Sequence, residues 1–146
     1  FTKYRGATMI KPNLVEAYQA AKMAESAPLD EVAKSILEIA EVEKLLITRS
    51  EEGISLFEKN GNRIDFPVRS KEVKDVTGAG DTVLAVMCLG MANGIDTSLA
   101  VQFANIAAGL AIERLGCVSI SIHEIAKRLS YQGESMRAPP RQMSPL

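Results

Sequence analysis

A glycine-rich turn followed at once by a strongly apolar segment constrains this chain more than any other feature of its sequence. Residues 78–81 read Gly-Ala-Gly-Asp, and nearly all of residues 82–92 are apolar. A helix that is hydrophobic on every side belongs in a core, so the segment predicts a largely buried helix over 81–92. The dipeptide Asn-Gly at 93–94 suits the left-handed geometry that ends such a helix.

The turn itself is suited to binding an anion. The small residues Gly78, Ala79 and Gly80 leave backbone N–H groups accessible at the positive end of the helix dipole, an arrangement that favours phosphate. Asp81 either caps the helix or faces the same anion, and chemistry alone leaves both readings open. A Walker A loop is excluded because no Gly-Lys-Ser/Thr follows, and the dinucleotide fingerprint fails because residue 83 is Val.

The segments before the turn alternate in a way that is typical of α/β proteins. Buried strands are predicted at 7–10 and 44–48, and two helices, at 14–23 and 29–42, lie between them. That order favours a parallel sheet with crossover helices.

Two local signals refine this order. Asn13, with Glu16 three positions later, matches a capping box at the start of the first helix. The dipeptide Asn-Gly at 60–61 separates the segments 53–57 and 63–66 and predicts a hairpin of two antiparallel strands.

The remaining segments are predicted from their turn residues and helical spacing. We expect a short strand at 73–75, a helix from Thr97 or Ser98 to Leu115, an extended piece at 118–120 and a last helix from 121 to about 129. Prolines and small polar residues dominate 131–146, which predicts a mobile tail. The chain is therefore divided into one folded unit, 1–130, and a tail, 131–146.

Composition excludes several classes of function. Seventeen Lys and Arg against eighteen Asp and Glu give a formal charge of −1, so no overall field attracts nucleic acid or an anionic membrane. No apolar run is suited to crossing a bilayer, and the two cysteines lack the spacing of a metal site or disulfide scaffold. We expect a reduced, cytoplasmic protein. The chain begins with Phe rather than Met, which suggests a fragment of a longer protein.

Four segments resemble one family of enzymes. The string Asp75-Val-Thr-Gly-Ala-Gly-Asp-Thr82 resembles the signature of the PfkB, or ribokinase-like, carbohydrate kinases. Three other segments resemble elements of that family in the same order: Lys11-Pro-Asn with Glu16, Ile47-Thr-Arg-Ser50 with Glu52-Gly53, and Phe103-Ala-Asn105 with Ala107-Ala-Gly109. The resemblance implies an α/β chain, the C-terminal half of a three-layer αβα ribokinase-like fold with a mostly parallel sheet and a hairpin. The N-terminal half of the fold would precede residue 1.

Three segments together are similar to a narrower group, the kinase half of the bifunctional heptose enzymes. They are Tyr4-Arg-Gly-Ala-Thr8, Thr48-Arg-Ser-Glu51 and Val76-Thr-Gly-Ala-Gly-Asp-Thr82. The similarity implies phosphorylation of D-glycero-D-manno-heptose 7-phosphate at O1 by ATP, on the route to ADP-heptose for the lipopolysaccharide core. Two alternatives stay open: a PfkB kinase for another sugar or nucleoside, and a nucleotide-binding or oligomer-forming module without turnover. We expect little activity from this chain alone, because the resemblance places most sugar-contacting residues outside it.

The resemblance assigns the chemistry to the glycine turn. It implies that Asp81 is the base that takes the proton of the sugar hydroxyl. Gly78, Ala79 and Gly80 would form the anion hole for the transferring phosphoryl group, with the N–H of Asp81 beside them. The competing role for Asp81 is that of a helix cap.

The resemblance also implies how ATP and its metal are held. Asn13 and Glu16 resemble a pair that governs Mg²⁺ and the triphosphate, with Glu16 acting through metal-bound water; the alternative is a capping box alone. Thr48 and Arg49 follow the end of a strand and are assigned to phosphate, whereas Arg49 would otherwise be a solvated charge. Gly53 would permit the turn after them.

The remaining assignments concern adenine, a second cation and the assembly. Asn105 is assigned to ATP near the adenine pocket, and the alternative is a satisfied buried amide. Asp75 and Thr77 resemble a loop that binds a monovalent cation in some relatives. The implied cofactors are therefore ATP and Mg²⁺, with K⁺ as a further candidate, and a sugar phosphate is the implied acceptor. A homodimer is expected, because the strand at 7–10 would otherwise leave an open sheet edge.

Overall fold

A mixed sheet forms the centre of the part of the chain that is described by the structure, a computed structural model covering residues 1–68 and 73–137, with only the backbone for 132–137. Its strands run in the order β1-β2-β3-β4. The strands are β1 (Met9–Ile10), β2 (Lys44–Thr48), β3 (Ile54–Glu58) and β4 (Arg63–Phe66). Strands β1 and β2 are parallel, whereas the pairs β2–β3 and β3–β4 are antiparallel.

Helices cover both faces of this sheet. They are α1 (Leu14–Ala21), α2 (Leu29–Ala40), α3 (Ala79–Ala92), α4 (Thr97–Ile112) and α5 (Ile122–Arg137). Successive residues of β2 point to opposite faces, as the two-residue period of a strand requires. Leu45 and Ile47 pack in a core with α1 and α2, and Leu46 packs in a second core with α3 and α4. The arrangement has the three layers expected of an αβα fold.

Several predicted elements are confirmed. Both buried strands and the hairpin are present, and the hairpin turn contains Gly61 at a φ of +88°. The predicted capping box is also present: the side chain of Asn13 accepts from the N–H of Glu16, and the side chain of Glu16 accepts from the N–H of Asn13. Among the described strands, however, only β1 and β2 pair in parallel, so this part of the sheet is mixed rather than mostly parallel.

Other boundaries differ from the prediction for identifiable reasons. Residues 73–75 form no strand, since the N–H groups of Lys74 and Asp75 donate to the carbonyl of Ile112 instead of to a neighbouring strand. Helix α4 is capped by Asp96, whose carboxylate accepts from the next turn, and it ends at Ile112 rather than Leu115. The segment 118–120 likewise forms no strand.

The last helix is longer than predicted, so the prediction starts the tail at too early a residue. Helix α5 continues to Arg137, so 131–137 are helical rather than a mobile tail. Most residues of that stretch are good helix formers, and the first proline comes only at residue 139. The rest of the predicted tail, 138–146, lies outside the described residues. No helix in the described ranges has the length and apolarity needed to cross a membrane.

The prediction that α3 is largely buried is wrong. Only Val83, Met87 and Gly90 of this helix are buried. Its opposite side is exposed although most of it is apolar, because no element of the described chain covers it.

Candidate active site

The first turn of α3 is built on a glycine in the left-handed conformation. Gly78 is the N-cap residue and has a φ of +78°. A Cβ atom at Gly78 would lie 3.2 Å from the sulfur of Cys117, so both backbone angle and space favour glycine. The hydroxyl of Thr82 donates to the carbonyl of Gly78 over 3.0 Å and ties the turn to the helix.

Backbone amides at the start of α3 are available to a ligand. The N–H of Ala79 donates to the carbonyl of Val76 over 3.2 Å. The N–H groups of Gly80 and Asp81 donate to no acceptor among the described residues. A helix start with free amides at the positive end of its dipole attracts anions. The first turn thus leaves the predicted amides of Gly80 and Asp81 free, and the N–H of the N-cap Gly78 also donates to no described acceptor, while that of Ala79 already has a partner.

The carboxylate of Asp81 is exposed at the same turn. Asp81 is the third residue of α3, and Gly78 rather than Asp81 occupies the capping position. No side-chain cap bond is formed at this helix start. Asp81 therefore does not cap the helix, and its carboxylate is exposed beside the free amides.

Lys11 lies beside this turn, and no role was predicted for it although it belongs to a segment that resembles the family. It follows the last residue of β1, and its ammonium lies 3.3 Å from the position that a Cβ atom on Gly80 would occupy. Lys11 makes no ion pair with a described residue. The signal in the sequence that could have identified Lys11 is its position directly after a buried strand, because ligands bind at the carboxyl ends of strands in α/β folds.

Asn13, Glu16 and Thr48 lie together where the parallel strands β1 and β2 end. Asn13 forms a parallel bridge with Thr48, and the N–H of Thr48 donates to the carbonyl of Pro12 over 3.1 Å. One oxygen of Glu16, Oε2, accepts from the N–H of Asn13 over 2.8 Å. The other carboxylate oxygen has no hydrogen-bond partner in the described chain and can accept from a metal-bound water.

Arg49 is engaged within the chain rather than extended toward solvent. Its guanidinium pairs with Glu52 at 2.6 Å and with Asp65 at 3.5 Å, and its side chain is only 13% exposed. Its Nε is buried without a partner in the described residues. The alternative of a solvated surface charge is therefore excluded for Arg49, and its ion pairs connect the turn after β2 with β4.

Gly53 closes that turn against β4. Its φ is +91°, and its carbonyl accepts from the N–H of Arg49 over 2.7 Å. A Cβ atom at Gly53 would overlap the carbonyl oxygen of Phe66 and lie 2.9 Å from the N of Val68. Glycine is therefore required for both its conformation and the close approach of two backbones.

Asp65 forms an ion pair with Arg49 and so fixes the turn after β2. Partial burial by itself would raise the pKa of Asp65, but hydrogen bonds from Ser55 and Arg63, with the positive charges of Arg63 and Arg49, lower it below its ordinary value. The group is therefore an anion that holds Arg49 in place.

Asn105 has a partner inside the fold. It lies on α4, and its side-chain amide donates to the carbonyl of Pro67 over 2.9 Å. The amide is thus satisfied, as the alternative expected, but Asn105 is half-buried rather than buried. Its side-chain oxygen accepts no hydrogen bond from the described residues.

Asp75 and Thr77 belong to a loop that is fixed by backbone amides. One carboxylate oxygen of Asp75 accepts from the N–H of Thr77 and the other from the N–H of Gly116, each over 2.9 Å. Hydrogen bonds from Thr77, and then from Gly116, lower the pKa of Asp75. This carboxylate links the segment before α3 with the turn after α4.

The candidate site combines the carboxyl ends of β1 and β2 with the first turn of α3. The carboxyl ends of β1 and β2 carry Asn13, Glu16 and Thr48, and Lys11 joins that edge to the first turn of α3. In open α/β sheets, ligands bind outside the carboxyl ends of the strands. A phosphate-bearing ligand thus finds free amides, a cation and a carboxylate at one edge.

Comparison with known proteins identifies the class to which this fold and site belong. The model of the pfkB family carbohydrate kinases matches residues 3–124. The chain therefore belongs to this family.

Relatives and solved structures agree with that assignment. The bifunctional protein HldE of Geotalea uraniireducens is 44% identical over 133 residues, 90% of this chain and 27% of the relative. HldE of Geobacter sulfurreducens is 42% identical over 134 residues, with the same coverage. The chain thus spans about a quarter of the length of these curated relatives.

The fold is that of the ribokinase-like enzymes. Phosphofructokinase-2 from Escherichia coli, in complex with potassium, has a TM-score of 0.79 at 19% identity over 90% of this chain and 43% of its own. Ribokinase from Arabidopsis thaliana, complexed with ribose and ATP, has a TM-score of 0.74 at 23% identity over 83% of this chain and 40% of its own. The described elements therefore correspond to less than half of each of these solved ribokinase-like chains.

Proposed function

We propose that this chain forms the nucleotide side of a kinase that transfers the γ-phosphoryl group of ATP to O1 of D-glycero-D-manno-heptose 7-phosphate. The observation that carries the proposal is the first turn of α3, where the free amides of Gly80 and Asp81, the Asp81 carboxylate and the Lys11 ammonium lie together. The choice of acceptor is supported by identities of 42–44% with HldE proteins.

Asp81 would act as the base. As the acceptor oxygen bonds to the γ-phosphorus, its proton passes to the Asp81 carboxylate and ADP leaves with the electrons of the broken P–O bond. The N–H groups of Gly80 and Asp81 stabilise the negative charge on the transferring group, because they already point away from the helix. The ammonium of Lys11 adds a full positive charge on the same side.

Asn13, Glu16 and Thr48 would hold the rest of the triphosphate. When Mg²⁺ is bound, it neutralises phosphate charge and keeps several of its waters. The oxygen of Glu16 outside the capping box accepts from such a water, and the Thr48 hydroxyl donates to a phosphate oxygen. Arg49 acts here through the turn that it stabilises, since its guanidinium is already paired with Glu52 and Asp65.

Two further assignments complete the ATP site. The free side-chain oxygen of Asn105 accepts from the nucleotide, while its amide stays on Pro67. The loop of Asp75 and Thr77 lies directly before α3, where a bound K⁺ would contribute positive charge near the phosphoryl group.

A nucleotide-binding module without turnover is the second candidate for the isolated chain. It is favoured by one observation, that the chain spans only 40–43% of the ribokinase-like structures that it matches. We expect the chain alone to bind MgATP and to transfer phosphate slowly, because a base without a positioned acceptor has little to deprotonate.

The experiment is a phosphoryl-transfer assay on a kinase domain in which this chain supplies the C-terminal part. Heptose 7-phosphate, fructose 6-phosphate, ribose and inosine are compared as acceptors, with MgATP as donor. We expect kcat/KM for heptose 7-phosphate to exceed the others by about 10³-fold, as one set of well-paired polar contacts provides. Preference for another acceptor would overturn the heptose assignment, and no transfer to any acceptor would overturn the kinase assignment.

A further inference from the structure

One row of positions on helix α4 runs from Asn105 through Gly109 to Ile112. These positions follow each other at helical spacings of four and three, so they share one face of the helix. At the far end of the row, the carbonyl of Ile112 accepts from the N–H groups of Lys74 and Asp75, which precede the first turn of α3. At the rise of an α-helix the row is about 10 Å long, so it leads from Asn105 toward the proposed phosphate site over a distance of nucleotide dimensions.

The middle of this row is open. Gly109 is itself buried, yet a Cβ atom on it would meet no described atom within 4 Å. Space for at least a methyl group therefore lies over the backbone of α4 between Asn105 and Ile112. A planar group can approach the helix closely there, because glycine has no side chain to hold it off.

The side chain of Asn105 leaves one kind of polar atom for a ligand. Its Nδ2 donates to the carbonyl of Pro67 over 2.9 Å. The positions of nitrogen and oxygen follow from this contact, since the reverse orientation would set two acceptor oxygens against each other. The remaining atom, Oδ1, accepts no hydrogen bond from the described residues. An amide oxygen only accepts, so it favours a ligand that donates.

We propose that Asn105 selects the base of the nucleotide by accepting from an exocyclic amino group, the group that adenine carries on its six-membered ring. Guanine and hypoxanthine carry a carbonyl at the same position, and a carbonyl oxygen that faces Oδ1 forms no hydrogen bond and is repelled by it. The inference rests on the proposed function, because it takes the triphosphate to lie at the first turn of α3. It adds a choice between bases, made by a single acceptor atom.

The bond to Pro67 makes this choice one-sided. An asparagine without such a partner can turn its amide and offer either N–H or C=O, so it would accept both kinds of base. Asn105 cannot exchange the two ends without leaving the Pro67 carbonyl opposite an oxygen. Because Asn105 is half-buried, water compensates only part of that loss.

Two other roles for Asn105 compete with base selection. One is a contact between Oδ1 and a ribose hydroxyl. The other is a purely structural role, in which the bond to Pro67 fixes α4 against the segment after β4. Neither role distinguishes one base from another, because the ribose and the Pro67 carbonyl are the same whichever base is bound.

The test compares three nucleotides that differ only in the base. Isothermal titration calorimetry measures their Mg²⁺-dependent binding to a kinase domain in which this chain supplies the C-terminal part. ATP carries the amino group, purine riboside triphosphate carries hydrogen in its place, and inosine triphosphate carries a carbonyl. We expect Kd to rise about fivefold for purine riboside triphosphate, for one lost hydrogen bond, and about tenfold or more for inosine triphosphate, where two oxygens face each other.

A variant without the acceptor should lose the preference. In Asn105→Ala the three Kd values should agree within about twofold, because no acceptor is left to distinguish the bases. The matched control is Asn93→Ala at the end of α3. The side-chain amide of Asn93 also donates to a backbone carbonyl, that of Leu89 over 2.8 Å, but it lies outside the proposed site. The control should keep the preference of the parent domain.

Each outcome supports or overturns the selection. Equal affinity of the parent domain for ATP and inosine triphosphate overturns it and leaves the proposed function in place. An Asn105→Ala domain that keeps the preference also overturns it, even if all three nucleotides bind more weakly, because a ribose contact or a structural role lowers each affinity alike. Failure of the parent domain to bind any of the nucleotides overturns the proposed function and the selection together.

Discussion

The ammonium of Lys11 lies 3.3 Å from the position that a Cβ atom on Gly80 would occupy. The absence of a side chain at Gly80 therefore lets a cation from the end of β1 approach the first turn of α3. The same turn carries the free N–H groups of Gly80 and Asp81. Charge and hydrogen-bond donors from two separate elements are thus directed to one place, which is what a transferring phosphoryl group requires.

The first prediction concerns this cation. Lys11→Met keeps most of the apolar stem of the side chain and removes its ammonium group, so affinity for MgATP should fall by about tenfold, the effect of one lost charge-assisted hydrogen bond. Isothermal titration calorimetry on the chain measures it. The matched control is Lys34→Met on the opposite face of the sheet, which should leave affinity unchanged. Equal affinities for the Lys11 variant and the parent chain would remove Lys11 from the site.

The second prediction concerns the turn after β2. Gly53→Ala should lower the free energy of unfolding by at least about 3 kcal/mol, because a methyl group meets the Phe66 carbonyl in a backbone conformation that already disfavours it. Gly61→Ala is the control: its φ is also positive, +88°, but no atom lies within 4 Å of its Cβ position, so only about 1 kcal/mol is expected. Urea denaturation gives both values. Similar losses for the two variants would mean that Gly53 is needed for its φ alone.

The third prediction separates two roles of Arg49. If its ion pairs with Glu52 and Asp65 are its function, Arg49→Met should lower stability by about 1–2 kcal/mol and change MgATP affinity by less than about threefold. Glu52→Gln, which weakens one of the same pairs without removing the cation, should have a smaller effect of the same kind. A tenfold loss of MgATP affinity in Arg49→Met that is absent in Glu52→Gln would support instead the direct contact between Arg49 and phosphate that the sequence resemblance implies.

The fourth prediction concerns acid stability at the junction of α4 and α5. A hydrogen bond from Arg114, and then those from the N–H and hydroxyl of Ser121, lower the pKa of Glu124 to about 2 from its ordinary 4.5. Between these two values the unfolded chain binds a proton that the folded chain does not, so stability from this group is present above pH 4.5 and falls as the pH drops toward 2.

Replacing that carboxylate tests the sign. Glu124→Gln should lower stability at pH 7 and flatten the decline of stability between pH 4.5 and 2, measured by urea denaturation at several pH values. Glu38→Gln, an exposed position on α2, serves as the control and should leave the slope unchanged. An unaltered slope in Glu124→Gln would show that the Arg114 pair is not maintained in solution.

Local signals in the sequence predicted local structure well. The capping box of Asn13 and Glu16 and the hairpin around Gly61 depend on residues within four positions of each other, and both are present. The strand–helix–helix–strand order also follows from short-range periodicity. The family motif brought Asn13 and Thr48 into one prediction, and the structure places them side by side.

Contacts between residues far apart in the chain could not be predicted from local sequence patterns. Asn105 donates to Pro67, 38 residues away, and Arg49 in the turn after β2 pairs with Asp65 on β4. The contact of Lys11 with the Gly80 turn joins residues that only the folded sheet brings together. The exposure of α3 was missed for another reason: apolar periodicity indicates that a face needs a partner, not that the partner belongs to the same chain.

The central claim is that the Asp81 carboxylate takes the acceptor proton at an amide-lined phosphate site. Its most direct test is the phosphoryl-transfer rate of Asp81→Asn in a kinase domain in which this chain supplies the C-terminal part, together with MgATP affinity. The account predicts a fall in kcat of about 10³-fold or more, as loss of a general base entails, with affinity changed by less than about threefold. A variant that keeps kcat within about tenfold of the parent domain would contradict it.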